Sequence, residues 1–143
     1  MGTRIVPFIG YENAGAAIDW LERAFGFVEH AEERYEEAGV VTHAELDLDG
    51  ATVFVSTPDG YVSPRRLREA SELARRSYDN PWVIDGLFVE VDDVEAHHAR
   101  ARAAGATIVR SLDEAHGIRR YTAEDPEGHR WMFGQRRATE RHA

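Results

Sequence analysis

The residues best suited to chemistry sit two apart on one short segment. In VVTHAELDL, residues 40–48, His43 and Glu45 are separated by a single alanine, with Asp47 two further on. An extended chain alternates its side chains, so these three share one side and Ala44, Leu46 and Leu48 the other. An imidazole with an unperturbed pKa of about 6.5 suits general acid–base work. The same histidine can equally serve as a cross-sheet hydrogen-bonding group, and Glu45 and Asp47 as solvated carboxylates. Tyr121, which follows His43 by 78 residues, can polarise a carbonyl, and Arg119 stands beside it. No nucleophile with an adjacent base is present, because the chain has no cysteine and no GxSxG turn. His97 and His98 are neighbours on a helix, about 100° apart, and cannot chelate one ion together. His129 follows a turn and reads as structural, and His142 lies in the tail. The run Arg65-Arg66-Leu67-Arg68 reads as a solvated helix face that could also grip an anion.

Composition narrows the function classes. The chain has 143 residues with 43% hydrophobic and 10% aromatic content, which suits one packed domain. Its net charge of −9 argues against nucleic-acid binding, which needs a basic face, and favours a neutral or cationic ligand. All 17 basic residues are arginine. No apolar run approaches the roughly 18 residues of a membrane span, and MGTRIVPF does not read as a secretory signal. With no cysteine, the expected compartment is the cytoplasm.

The elements that must position these residues can be read in order. RIVPFIG, residues 4–10, reads as a strand. A helix follows, capped by Asn13 and ended by Gly26, with Ala17, Ile18, Leu21, Ala24 and Phe25 at helical spacing. Residues 27–36 read as a strand turning polar. Residues 40–48 and ATVFVS form a hairpin around Asp49-Gly50. Residues 58–81 hold three prolines and an arginine-rich helical stretch, and read as a connecting segment. The pattern then returns: VIDGLFVEV as a strand, a helix from Asp92 or Asp93 to Ala104, ATIVRSL as a strand, 118–124 as a strand, and HRWMFGQ as the last. Residues 137–143 are expected to fray.

This return is an internal repeat. Gly26 and Gly105 stand 79 residues apart, Gly50 and Gly128 stand 78 apart, and Asn13 and Asp92 stand 79 apart. The expected fold class is α+β: two tandem βαβββ modules, about 4–57 and 82–136, forming a curved mixed sheet around a central cavity with helices outside. The region 1–136 is read as a single domain.

The paired modules, the helix ending AAIDWLERAFGF, the hairpin HAELDLDG and the segment RRYTAEDPEGHRWMFGQ resemble the vicinal-oxygen-chelate superfamily, in its glyoxalase/bleomycin-resistance/PhnB-like branch. The likeness covers roughly residues 4–136. It implies a ligand pocket on the cavity side and, commonly, a homodimer. The metal enzymes of the family carry ligands at positions that fall here on Val6, Phe54, Gly86 and Met132. None offers a carboxylate or imidazole, so no metal or cofactor is expected. The remaining route to a divalent metal would use His43, Glu45 and Tyr121. The same positions assign a cavity face. On it fall Phe8, His43, Glu45, Phe54, Phe88, Glu90, Arg119, Tyr121 and Met132, with Trp82 at the rim. This is an organic-ligand lining, in which Phe54, Phe88 and Trp82 can stack on a planar ring and Glu45 and Glu90 can hold a cationic group. The reading is a metal-independent binding protein for an antibiotic or an aromatic or cationic metabolite. The alternative is a lyase, isomerase or dioxygenase-like enzyme using a metal or His43, so whether the chain is an enzyme is left open.

Overall fold

Asn13 starts α1 (Ala14–Phe25) as its spacing requires: its Oδ1 accepts the Ala16 N–H at 3.0 Å, and Gly26 ends the helix. The computed structural model describes residues 2–79 and 86–137. Trp82 and the tail from residue 138 lie outside the described residues. Before α1 comes β1 (Phe8–Gly10), shorter than the segment expected to be extended. After it, residues 27–36 divide into β2 (Val28–Glu29), a 3₁₀ turn at Ala31–Glu33 and the start of β3 (Tyr35–Glu37). The hairpin is β4 (Val40–Leu48) and β5 (Ala51–Ser56). Its two turn residues, Asp49 and Gly50, have φ of 50° and 90°, the left-handed pair that a two-residue hairpin needs.

The connecting segment folds into two helices, α2 (Pro64–Ala70) and α3 (Glu72–Asp79). The second module is β6 (Leu87–Glu90), α4 (Val94–Ala103), β7 (Thr107–Ala115), β8 (Ile118–Glu124) and β9 (Arg130–Arg136). Asp93, rather than Asp92, caps α4, accepting the Ala96 N–H at 3.0 Å.

Each module builds its own mixed sheet, so the curved sheet is realised as two. One runs β1-β5-β4-β2, with β3 also on β4; the other runs β6-β9-β8-β7. One face of each sheet enters a common core. Ala44, Leu46, Val53 and Val55 meet Ile18, Leu21 and Phe25 of α1 and Val94 and Ala101 of α4; Tyr121, Ala123, Trp131 and Phe133 close the same cluster from the other sheet. Phe25 joins the modules directly, with its ring 4.6 Å from Phe133 and 5.6 Å from Trp131. The opposite face of each sheet turns away from this core.

Candidate functional site

The open face of the first sheet carries the expected chemistry. Cross-strand partners point the same way, and the register pairs Phe8 with Phe54 and Phe54 with Glu45. His43 lies two residues from Glu45 on that face, and its Nε2 is 2.9 Å from Glu45 Oε2. The His43 ring meets Phe54 edge-on at 4.8 Å and has Tyr35 at 6.1 Å. Further along β4, Asp47 accepts the Thr52 hydroxyl at 2.6 Å and faces His30 Nε2 at 3.2 Å. The Thr52 hydrogen bond, followed by that of His30, holds the Asp47 carboxyl below its ordinary range despite partial burial. Phe8 is a large ring that is 81% exposed. Two imidazole–carboxylate pairs beside exposed rings can bind a planar group and a positive charge together.

On the second sheet's outer face the side chains engage one another more, although Phe88 remains 42% exposed. Phe88 lies over Gly134, where any Cβ would come within 2.6 Å of the ring. Met132 pairs with Phe88 and is half-buried. Glu90 is held by Arg136 at 2.8 Å. Glu124 is buried beneath two guanidinium groups, accepting from Arg68 of α2 at 3.0 Å and from Arg130 at 3.0 Å. So Arg68, expected on a solvated face, instead ties α2 to this sheet.

Tyr121 and Arg119 do not stand on the open face. Tyr121 pairs with Phe133 and Arg119 with Gln135, which puts both on the helix side. The cause is one residue in a turn. The Asp125 N–H bonds to the His129 carbonyl at 3.0 Å, leaving a three-residue turn, 126–128, closed by Gly128 at φ 93°. The equivalent turn of the first module has two residues. Hence β9 follows β5 at an offset of 78, but β8 follows β4 at 77, and a one-residue slip reverses every side chain. Tyr121 is fully buried and Arg119 reaches Glu95 of α4 at 2.6 Å. A metal set of His43, Glu45 and Tyr121 therefore cannot assemble.

Tyr121 instead reveals a joint that sequence reasoning missed. Its hydroxyl lies 2.6 Å from His97 Nδ1, while His97 Nε2 is 2.8 Å from the Phe25 carbonyl. A carbonyl only accepts, so Nε2 carries the proton and Nδ1 accepts from the tyrosine. Burial, the largest cause, pushes the His97 imidazole below its ordinary range; the Phe25 carbonyl opposes this and Arg100 adds to it. Burial likewise raises the Tyr121 phenol. The signal available was helical spacing, with Val94, His97 and Ala101 on one face of α4. A second joint surrounds Asp125, buried and accepting from Tyr11 Oη at 2.6 Å, Trp131 Nε1 at 3.1 Å and two backbone N–H groups.

A groove of about 410 Å³ runs between the modules, lined by residues 4–7, 50–53 and 87–90 and by Trp131. It takes in Phe88 and Glu90 but none of His43, Glu45 and Phe54. Among the described residues no three His, Cys, Asp or Glu side chains are placed to hold a metal ion. The donor chemistry at Val6, Phe54, Gly86 and Met132 does not fit the divalent ion that the metal enzymes use.

Comparison with known proteins gives a consistent match. The sequence profile described as Glyoxalase/Bleomycin resistance protein/Dioxygenase superfamily matches residues 5–133. An uncharacterized protein of Mycobacterium bovis is 30% identical over 134 residues, covering 90% of this chain and 80% of that protein. Among solved structures, TioX from Micromonospora sp. ML1 superposes with a TM-score of 0.67 at 29% identity, covering 97% of this chain and 100% of the other. TnmS3, an antibiotic binding protein from Streptomyces sp. CB03234, has a TM-score of 0.61 at 18% identity, covering 95% and 98%.

Proposed function

The chain belongs to the glyoxalase/bleomycin resistance protein/dioxygenase superfamily, and from that premise we propose that it is a metal-independent binding protein for a small aromatic ligand bearing a positive charge. The observation that carries this reading is the open face of the first sheet, where exposed Phe8 and half-buried Phe54 adjoin the His43–Glu45 pair. The same fold serves antibiotic binding in TnmS3, and a drug-like ligand suits this wall. No described helix is long and apolar enough to cross a membrane, and the absence of cysteine supports a cytoplasmic site of action.

We further propose a homodimer, because the wall is open in one chain. Charge supports the pairing of unlike modules. Residues 4–57 hold eleven acidic side chains against three arginines, whereas residues 86–137 hold nine against eight. Two first modules face to face would repel; a first module against the second module of another copy would not.

Calorimetric titration of metal-free protein with planar cationic aromatic probes such as acridinium dyes tests the binding reading. Micromolar binding unchanged by chelator is expected. No binding tighter than about millimolar would sink it.

The His43–Glu45 contact favours a second reading, in which the carboxylate orients the imidazole as a general base. That reading requires turnover of a bound compound that His43→Ala abolishes while binding and fold persist.

A further inference from the structure

The helix α3 is poorly accounted for by its own chain. Among the described residues it makes no substantial contact with any helix or strand but α2. Leu73, on its first turn, is 68% exposed, and Arg76, one turn on, has no ion-pair partner among the described residues. An eight-residue helix is marginal in water without an apolar face to bury. Elsewhere, β3 is an exposed strand that pairs with β4 alone among the described strands. Tyr35 on it is 58% exposed, and Val40 beside it is 43% exposed. Arg34 is already engaged by Glu29 and Glu36, which leaves Glu33 and Glu37 with no cation among the described residues. The two surfaces therefore match in polarity and in sign: an apolar leucine with an arginine, against an aromatic ring with carboxylates. Among the described residues they make no substantial contact within one chain.

We infer that α3 of one copy docks on β3 of a second copy, with Leu73 against Tyr35 and Arg76 against Glu33 and Glu37. The inference rests on the homodimer proposed above, and it gives the connecting segment a role: a strap that latches one subunit to the other. Two such latches form per twofold dimer.

The test uses the full chain at micromolar concentration, in sedimentation velocity at low and high NaCl. Wild type should dimerise, more weakly in high salt. Leu73→Asp and Arg76→Glu should each weaken the dimer about tenfold or less, the range of one apolar contact or exposed ion pair counted twice. Glu33→Arg combined with Arg76→Glu should restore much of the loss. The absence of cysteine allows a check that tolerates modest loss of stability. Arg76→Cys and Glu33→Cys chains, mixed and oxidised, should yield a mixed disulfide-linked dimer. A wild-type monomer would overturn both the dimer and the latch. A dimer indifferent to all three variants, with no mixed disulfide, would overturn the latch and leave the dimer standing.

Discussion

The first and second modules answer the same repeat in opposite ways. In the first, the sheet face away from the core stays open, and polar and aromatic side chains stand on it in pairs. In the second, that face is partly taken up by its own contacts: Phe88, itself 42% exposed, lies over Gly134, and Arg68 and Arg130 cover Glu124. The residues follow the same division. His43 is partly exposed beside Phe54, whereas Tyr121, 78 residues later, is sealed against α4. Asp47 sits at the surface with Thr52 and His30, whereas Asp125, also 78 residues later, is buried as a bracket between modules. A single extra turn residue reverses the side chains of β8, so Tyr121 joins the internal packing while His43 stays on the outer face.

The largest effect expected from this contrast is on stability. Phe133→Ala should cost about 3–5 kcal/mol, since Phe133 touches Phe25, His97 and Tyr121 in the shared core. Phe54→Ala on the open face should cost about 1 kcal/mol. Urea denaturation of both variants checks this, and comparable losses would erase the distinction between the faces. The aspartates should differ in the same direction. Asp125→Ala strands the Tyr11 hydroxyl and the Trp131 N–H inside the protein, at about 3 kcal/mol, whereas Asp47→Ala should stay within about 1 kcal/mol.

A smaller effect concerns pH. Folding lowers the His97 pKa, so the folded state favours the neutral ring. The stability this represents is intact above the unfolded-state value, about 6.5, and is lost as pH falls through it toward the lower folded value. The urea midpoint should therefore drop between about pH 7.5 and pH 5, and His97→Asn should flatten that drop. His98 shifts in the same direction with less burial, so His98→Asn is the control and should flatten it less. Equal flattening by both would remove His97 from its place as the joint.

Much of this was legible in the residues. Asn13, Gly26 and Asp49-Gly50 report local chemistry, and local chemistry decides caps and turns wherever the chain lies; the cap offset read as 79 from Asp92 becomes 80, because Asp93 caps α4. The face of β4 and β5 was legible for the same reason, since a two-residue turn fixes its register. The face of β8 was not. Gly50 and Gly128 keep the 78-residue offset, so the glycines gave no warning that the Asp125–His129 hydrogen bond had lengthened the second turn by one residue. The joint at His97 was hidden differently: a histidine's two nitrogens find partners only through tertiary packing, here the end of α1 and a residue of β8. The run Arg65-Arg66-Leu67-Arg68 read as solvated because arginines dominate it, yet Arg68 finds its carboxylate on a distant strand.

The ligand wall proposed for this protein is the open face of the first sheet. Amide and side-chain chemical-shift mapping of the full chain, titrated with an acridinium probe, tests it most directly. Shifts should concentrate at Phe8, His43, Glu45 and Phe54, and Phe54→Ala should diminish them. Shifts confined to the groove lined by residues 4–7 and 87–90, or to the helix side around Tyr121, would contradict it.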